Sequence, residues 1–570
     1  MSRKQKKSFA KKTSPKNTSS SNITHQSHTL FESLDIFFDK HLPKLNVYFT
    51  IIFSLLSILS FDPKLSIAFD DAMYMTSAYR YVHDFPDFFH TANAPFYPMV
   101  LSILVAIFGF DMLLLKATSV IFMSLGIYFT VKAFYKRLPS TLVFFMLLMM
   151  VSNVHFLWYS HHTFTEAFFF MLQGIFFNLF FHFIEKPAHP VKKGIWLGVL
   201  CALLYLTRTV AIAAIGSVIF YLILKKDWKK LIYPVVAFLS FIAVFSLAKT
   251  YVWHVESSSG QAKILMQKDP YNPDKGMEDF NGFVQRFFDN YGLYVSKRLY
   301  DLISLRPDAK ETNTGLGFIS LILFLVSFFQ AFKNKQDVVL FSLIYLSGIC
   351  FITFVALQTQ WDQLRLILPY LPFFIIALLY GLYRLLSKMA YAAQLLLFFI
   401  LLILPIIGIS RTFKMVKENF PVAMKNLKGD RLAGLTPDWQ NYVRISIWAA
   451  ENLPEDAVIA CRKAPISAIY SKFRREFFNI HNVPSSDPDS LVDLLKQHRV
   501  THVIVASLRR DPSKKTEHII NTMHRYIGTI QQKYPNFVTL VHQEGSDEPA
   551  YLFKVNYPEN FTQNEQSNQK

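Results

Sequence analysis

Long apolar runs separated by short basic clusters recur along most of the chain. A membrane-spanning helix needs about 20 mostly apolar residues, and its cytoplasmic flanks are enriched in Lys and Arg. The runs therefore predict a polytopic α-helical membrane protein with about eleven spans. These predicted spans are residues 46–61, 112–135, 140–158, 167–184, 194–206, 210–224, 231–249, 315–332, 338–357, 366–385 and 391–410.

The basic clusters also predict how the chain crosses the membrane. Residues 1–29 are basic and poor in apolar side chains, so we expect a disordered cytoplasmic tail, followed by an interfacial segment at 30–41. The apolar run 94–110 could cross the bilayer or dip into its outer leaflet. Only the dip keeps every later basic cluster inside. The amino terminus is therefore expected in the cytoplasm and the carboxyl terminus outside.

The composition agrees with a membrane protein. The chain of 570 residues is 52% hydrophobic and only 17% charged. Its net charge of +19 is concentrated in short loops and the amino-terminal tail, which favours contact with a cytoplasmic leaflet over nucleic acid binding. Cys201 and Cys350 lie in apolar runs and Cys461 lies far along the chain, so we expect no disulfide framework, and the cysteines do not have the spacing of a metal site.

After Arg411, short apolar strands alternate with helical stretches. Val500–Ala506 is the clearest buried strand, and the alternation favours a small α/β domain. We interpret it as a lid or an acceptor-recognition domain, because it has no Gly-rich phosphate loop. The predicted division is a tail at 1–29, a transmembrane domain at 30–411 and an extracytoplasmic α/β domain at 412–570.

Four groups of polar residues fall on the predicted outer face. They are Asp70-Asp71 after the first span, His161-His162 with Glu166, Arg208 at the tip of a short hairpin, and Arg365 before a span. A carboxylate can accept a proton from a hydroxyl, and an arginine can hold a phosphate with two parallel hydrogen bonds. Together these groups suit a phosphate-bearing lipid substrate.

Each group also has a purely structural interpretation. Asp70, Asp71 and Glu166 could cap helices, because a carboxylate accepts hydrogen bonds from free N–H groups at a helix start. Arg208 and Arg365 could extend to the interface without binding anything. The two histidines are adjacent, so they point in different directions on a helix and are a poor metal site. Their common side of the membrane favours the functional interpretation.

The order of these motifs resembles the GT-C superfamily of integral membrane glycosyltransferases. An acidic pair follows the first span, and an Ala-Pro-x-Tyr-Pro segment at 94–98 leads to Phe108-Gly109. A Thr-Glu pair follows the third span, and Arg365 precedes a Leu-Pro-x-Leu-Pro run at 368–372. The bacterial branch with aminoarabinose transferases and protein O-mannosyltransferase-like enzymes is the most similar, over residues 46–410.

The resemblance implies a bacterial inner-membrane enzyme of cell-envelope glycosylation. It implies transfer of a hexose or pentose from a polyprenyl-phosphate-linked donor to a lipid, glycan or protein acceptor, usually with inversion. The implied catalytic residues are Asp70, its neighbour Asp71, and Glu166. The implied substrate contacts are Arg365, Arg208, His161, His162 and Tyr97. Whether a divalent metal takes part stays open.

The chain departs from the family pattern at one position, and two other classes of function are alternatives to a glycosyltransferase. The family often has Lys before the Pro of the dipping segment, where this chain has Asn93-Ala94. A transporter or flippase of lipid-linked glycans would need ionisable residues or broken helices near mid-membrane. A polysaccharide polymerase or ligase would instead rely on the loop 250–313, with Arg286, Arg298 and Arg306.

Overall fold

The computed structural model describes residues 29–66, 69–186, 188–255, 264–270, 275–510 and 518–558. Within them, nine helices are long and apolar enough to cross a membrane, or ten if the bent pair Ser140–Val151 and Val154–Ser160 is one span. The prediction of a helical multi-pass membrane protein is therefore confirmed. The predicted tail, apart from Thr29, lies outside the described residues.

The membrane region is built of helices. In chain order they are α1 (Leu30–Leu59), α2 (Asp70–His83), α3 (Phe96–Phe108), α4 (Met112–Phe134), α5 (Ser140–Val151), α6 (Val154–Ser160), α7 (Thr165–Glu185), α8 (Pro190–Thr207), α9 (Ile212–Leu224), α10 (Trp228–Val252), α11 (Phe280–Tyr291), α12 (Leu299–Leu302), α13 (Thr314–Lys333), α14 (Asp337–Ala356), α15 (Leu371–Leu386) and α16 (Tyr391–Leu427).

Besides the bent pair of α5 and α6, two apolar helices in the described part of the chain are too short to count as full spans. Helix α3 has 13 residues, which is about 20 Å at 1.5 Å per residue and less than the ~30 Å hydrocarbon core. This length agrees with the predicted dip at 94–110. The predicted span at 210–224 is the other short apolar helix, Thr209–Leu224.

Helix α1 joins two segments that the sequence predicted as separate. It begins at a capping box, in which the Thr29 and Glu32 side chains each accept a hydrogen bond from the other's backbone N–H, and it continues past Pro43. Phe31 is buried beside Tyr383 of α15, and Phe38 stacks on Phe144 of α5 with ring centroids 4.0 Å apart. In the segment predicted to lie in the interface, Phe31 and Phe38 pack against other helices, whereas Ile36 and Phe37 are exposed.

The predicted outer loop 250–313 contains helices in its described part. A π-helical turn, Gly292–Arg298, connects α11 to α12. Tyr294 and Leu299 are fully buried in the main hydrophobic core. Their burial shows that this segment is part of the packed membrane region.

The region after the last span contains the predicted α/β domain. Helix α16 has 37 residues and runs through the predicted boundary at 411. The domain consists of α17 (Pro437–Asn452), β1 (Val458–Cys461), α18 (Ala464–Tyr470), β2 (Glu476–Asn479), α19 (Pro488–Gln497), β3 (Val500–Ala506), β4 (Leu508–Arg509), β5 (Ile519–Ile520), α20 (Thr522–Gln531), β6 (Val538–Glu544) and β7 (Ala550–Val555).

A five-stranded sheet forms the centre of this domain, in the order β2-β1-β3-β7-β6. Strands β2, β1 and β3 are parallel, whereas β7 pairs antiparallel with β3 and β6. The sequence predicted β3 with its observed ends and the alternation of strands with helices around it. It missed α20 and the short pair of β4 with β5.

The α/β domain packs directly on α2. Phe473, which follows α18, stacks on Tyr79 with ring centroids 3.8 Å apart and meets the edge of Phe110 at 4.9 Å. At the other side of the junction, the Lys64 ammonium donates to the Asn426 side-chain carbonyl at 3.2 Å. The domain therefore contacts the helix that begins at Asp70.

Candidate active site

A polar cavity of about 390 Å³ lies between α2, α7, the α8–α9 turn and the residues that follow α14. Asp70, Glu166, Arg208 and Arg365 all line it. The structure thus brings together one member of each of the four polar groups found in the sequence. The other polar residues of its wall are Tyr74, Asn93, Thr165, Thr207, Thr209, Trp361 and Gln363.

Asp70 and Arg365 form the first ion pair of this cavity. Arg365 Nη2 donates to Asp70 Oδ2 at 2.5 Å, and Arg365 Nε donates to the Gln363 side-chain oxygen at 2.6 Å. The two charged side chains are only 16% and 25% exposed for Arg365 and Asp70. Burial lowers the pKa of Arg365, but Asp70 and Glu166 outweigh it and raise that pKa above its ordinary value.

Glu166 and Arg208 form the second ion pair. Arg208 Nη1 lies 2.7 Å from Glu166 Oε1, and the carboxylate is buried. Glu166 stands in the first turn of α7, where the helix dipole also favours a negative charge. Each arginine has five N–H donors, so the donors that do not bind its partner carboxylate can bind a further anion.

Asp71 points away from the cavity. It is fully buried, and its carboxylate accepts hydrogen bonds from the backbone N–H groups of Ser66 at 2.7 Å and Ala72 at 2.8 Å. Burial raises the pKa of Asp71 above its ordinary value, although Lys116 and the hydrogen bonds oppose this shift. Adjacent residues at a helix start project in different directions, so only one of the two acids can reach the cavity.

A charge cluster lies behind α2, made of Asp62, Lys64, Asp71 and Lys116. Lys116 of α4 is fully buried and donates a hydrogen bond to the Lys64 carbonyl. The Lys64 ammonium lies 2.8 Å from Asp62 Oδ1. Burial raises the pKa of Asp62, but Lys116 and Lys64 hold it well below its usual range. Lys116 was not among the predicted site residues, although it stands out in the sequence as a single charge inside an apolar run.

Three predicted substrate contacts do not line the polar cavity. Tyr97 is fully buried behind Tyr74, with ring centroids 5.4 Å apart. His161 and His162 are buried where the chain turns after α6, and His162 Nδ1 lies 2.7 Å from the Trp158 carbonyl oxygen. Burial lowers the pKa of His162 to about 4, so its ring is neutral near pH 7.

The described residues contain no group of three or more His, Cys, Asp or Glu side chains that could hold a metal ion. The two acids of the cavity are each paired with an arginine. These carboxylates therefore have cationic partners from the chain itself.

An apolar cleft of about 380 Å³ adjoins the polar cavity. The two share Arg208, Trp361 and Leu366 among their lining residues. From there the cleft extends along α8, α9 and α14, where it is lined by Tyr205, Ile212, Ile352, Thr353 and Ala356. A polar site with two arginines thus continues into an apolar one, a feature that no local sequence pattern revealed.

No family model matches the chain, and no curated protein matches it in sequence. Solved structures do match its fold. ArnT from Cupriavidus metallidurans, bound to undecaprenyl phosphate, aligns over 89% of this chain and 97% of its own, with a TM-score of 0.53 and 12% identity. The apo oligosaccharyltransferase of Archaeoglobus fulgidus aligns over 88% of this chain and 80% of its own, also with a TM-score of 0.53 and 12% identity.

A second structure of the Archaeoglobus fulgidus oligosaccharyltransferase, in complex with Zn and sulfate, aligns over 87% of this chain and 79% of its own. Its TM-score is 0.53 and its identity 13%. The chain therefore shares the fold of these structures, which is the GT-C type of fold that the order of its motifs predicted.

Proposed function

We propose that this protein is a glycosyltransferase that moves a sugar from a polyprenyl-phosphate-linked donor to an acceptor hydroxyl at the extracytoplasmic face of the membrane. The observation that carries the proposal is the polar cavity, which joins two acids and two arginines beside an apolar cleft. The GT-C fold supports it, because the matched ArnT structure holds undecaprenyl phosphate.

The two adjoining cavities suit the two halves of such a donor. Arg208 lines both, so a phosphate at their junction would meet its guanidinium and that of Arg365. The first isoprene units would then occupy the apolar cleft between α8, α9 and α14. Arginine suits this place because its planar fork matches the oxygens of a phosphate.

In the proposed reaction, Asp70 accepts the proton of the acceptor hydroxyl. The hydroxyl oxygen attacks the anomeric carbon of the donor sugar, and the bond between that carbon and the phosphate oxygen breaks. Attack from the face opposite the leaving phosphate inverts the anomeric configuration. Arg365 and Arg208 stabilise the negative charge on the departing lipid phosphate. Within the described residues, Asp70 Oδ1 has no hydrogen-bond partner, which leaves it for the acceptor proton.

The other predicted residues have different places in this proposal. Glu166 orients Arg208 through their ion pair. Asp71 holds the first turn of α2 to residues 62–66 rather than contacting substrate. We assign no substrate contact to His161, His162 or Tyr97, since they lie outside the cavity. Neither the sugar, a hexose or a pentose, nor the acceptor class, lipid, glycan or protein, follows from the geometry.

Membrane vesicles from cells that lack the endogenous protein provide the test. Vesicles with the wild-type chain or with Asp70→Asn receive undecaprenyl-phosphate-linked mannose or arabinose, each labelled in the sugar. We expect label in a lipid, glycan or protein fraction, identified by mass spectrometry, only with the wild-type chain. Equal label with both chains, or none with any donor, contradicts the proposal. A reporter fused after residue 570 and active only outside the cytoplasm tests the proposed sidedness.

A further inference from the structure

The α/β domain contacts the residue immediately before Asp70. Lys463, at the start of α18, places its ammonium 5.2 Å from the centre of the Phe69 ring. We propose that Lys463 is a positioning residue, whose cation holds the Phe69–Asp70 turn so that Asp70 faces the acceptor. This inference rests on the proposed glycosyl transfer and gives the α/β domain a part in it.

The Phe69–Asp70 turn needs an external support. Phe69 precedes α2 with a φ of 75°, in the left-handed region that a residue with a Cβ rarely adopts. Its side chain cannot cap the helix with a hydrogen bond, so the N-cap residue does not fix the first turn, and Asp71 attaches only the buried side of that turn to Ser66. Strained backbone of this kind persists only where the surroundings hold it.

The α/β domain supplies that support on two sides of the Phe69 ring. Lys463 lies over the ring, a geometry in which a cation is attracted by the π-electrons. The imidazole of His481 meets the ring at its edge, with centroids 5.1 Å apart and an interplanar angle of 76°. Both residues follow strands of the central sheet, which fixes their positions relative to each other.

The backbone around Lys463 is itself anchored. The Lys463 N–H donates to the Tyr442 hydroxyl at 3.1 Å, and the Ala464 N–H donates to the Asn479 side-chain oxygen at 3.1 Å. At the far end of α2, the stack of Phe473 on Tyr79 attaches the same domain. The domain therefore contacts α2 at both ends, and these contacts fix the position of Lys463 along the helix.

The charges around Lys463 connect it electrostatically to the acids of α2. Lys463 is buried, with 7% of its surface exposed. Burial lowers its pKa to about 8, Arg462 acts in the same direction, and the Asp70 and Asp71 carboxylates oppose both. For His481, which follows β2, burial is the larger cause that lowers the pKa of its imidazole, and the Lys463 charge is close enough to lower that pKa further.

Asp70 and Asp71 do not depend on Lys463 to the same degree. Lys116 and the Ser66 N–H already act on Asp71 from the buried side. Asp70 faces the cavity, where Arg365 is its ion-pair partner. Removing the Lys463 cation is therefore expected to disturb the orientation of Asp70 more than that of Asp71.

The test compares three variants of the full-length chain in nanodiscs. Lys463→Met removes the charge, and Lys463→Arg keeps a cation of similar reach. Lys472→Met is the matched control, because Lys472 is an exposed lysine of the same domain. Each is assayed for sugar transfer from the undecaprenyl-phosphate donor that the wild-type chain uses, with kcat, the KM values of donor and acceptor, the pH profile and thermal unfolding measured together.

We expect Lys463→Met to lower kcat roughly 10- to 100-fold, the usual cost of a misplaced reacting group, with the donor KM changed less than about twofold. Lys463→Arg should restore most of the rate. Lysine is a cation only below its pKa, so the wild-type rate should fall as pH rises through about 8. Lys463→Arg should keep its rate there, because arginine stays charged.

Three outcomes overturn the inference. One is a wild-type rate in Lys463→Met. Another is an equal loss in Lys463→Met and Lys463→Arg with unchanged pH profiles, which indicates packing only. A raised acceptor KM at constant kcat would show that Lys463 binds the acceptor instead. If the wild-type chain transfers no sugar from any donor, the proposed function itself fails and the inference fails with it.

Discussion

The cavity side and the buried side of α2 contain the same chemical group in opposite environments. Asp70 is 25% exposed on the cavity side and pairs with an arginine that reaches across from the end of another helix. Asp71, its neighbour in sequence, is fully buried and accepts hydrogen bonds from the backbone. One carboxylate is accessible to a substrate, and the other attaches α2 to the loop before it.

The difference shows that the direction of the side chain decides the role of each acid. Both carboxylates lie in the first turn of α2, where the helix dipole favours a negative charge. Only the buried side adds a lysine from another span, Lys116 of α4. A buried charge needs such a partner because desolvation is costly, whereas a cavity acid remains partly solvated.

The largest expected effect separates the two acids by turnover. Asp70→Asn removes the proton acceptor and should lower sugar transfer by about two to four orders of magnitude, the usual contribution of a general base. Asp71→Asn should reduce transfer much less. Initial rates with the donor accepted by the wild-type chain, on variants with confirmed folding, measure both. Equal losses in the two variants would remove the distinction between the two sides.

A second effect concerns stability on the buried side. Lys116→Met leaves Asp62 and Asp71 without their shared cation, and breaking a buried charge network by removing one partner costs about 3–5 kcal/mol. We expect a clearly lower Tm in detergent than for the wild-type chain. Lys132→Met on the same helix is the control, because Lys132 is exposed. Matching Tm values for the two variants would argue against the charge cluster as a stabilising element.

A third, smaller effect tests the cavity side. Arg365→Lys keeps the charge but loses the planar fork, so transfer should fall about 10- to 100-fold, the equivalent of one or two charged hydrogen bonds. Glu166→Gln weakens the ion pair with Arg208. Its rate of sugar transfer should lie between those of Asp70→Asn and Asp71→Asn. Rates at saturating donor distinguish charge stabilisation from weaker donor binding. Full activity in Arg365→Ala would reduce this arginine to an interface anchor.

The smallest effect is a pH dependence of stability that belongs to Asp71. Its pKa is raised in the folded protein, so the folded state holds this proton more tightly than the unfolded state. Its contribution is complete below the ordinary carboxyl pKa and is lost as pH rises through the raised value. The wild-type Tm, relative to Asp71→Asn, should therefore decrease as pH rises above the ordinary carboxyl pKa of about 4. A constant difference would contradict the raised pKa.

Much of the fold follows from periodicity and composition. Apolar runs located most spans, and Val500–Ala506 was found as a strand with its observed ends, because burial on both faces leaves a continuous apolar segment. Helix α1 was divided wrongly, since the burial of Phe31 depends on distant helices. The short pair of β4 with β5 has too few residues to produce a pattern.

The candidate site was predictable only in part, because it too depends on contacts between residues that are distant in sequence. Arg208 and Arg365 could be named from their positions at the ends of apolar runs. Their partners could not be assigned, because Glu166 lies 42 residues from Arg208 and Asp70 lies 295 residues from Arg365 along the chain. Their pairing depends on how the helices pack. The burial of His161 and His162 likewise depends on Trp158 and on neighbouring helices, which a local pattern does not contain.

The stack of Phe473 on Tyr79 has a consequence for biogenesis. A ribosome makes the chain from its amino terminus, so α2 is synthesised long before the domain that holds it in place. In the proposed arrangement, the contacts of Lys463 and His481 with Phe69 form only after the last strands have left the ribosome and folded. Truncated chains that stop before the α/β domain should insert their spans but leave this turn unsupported.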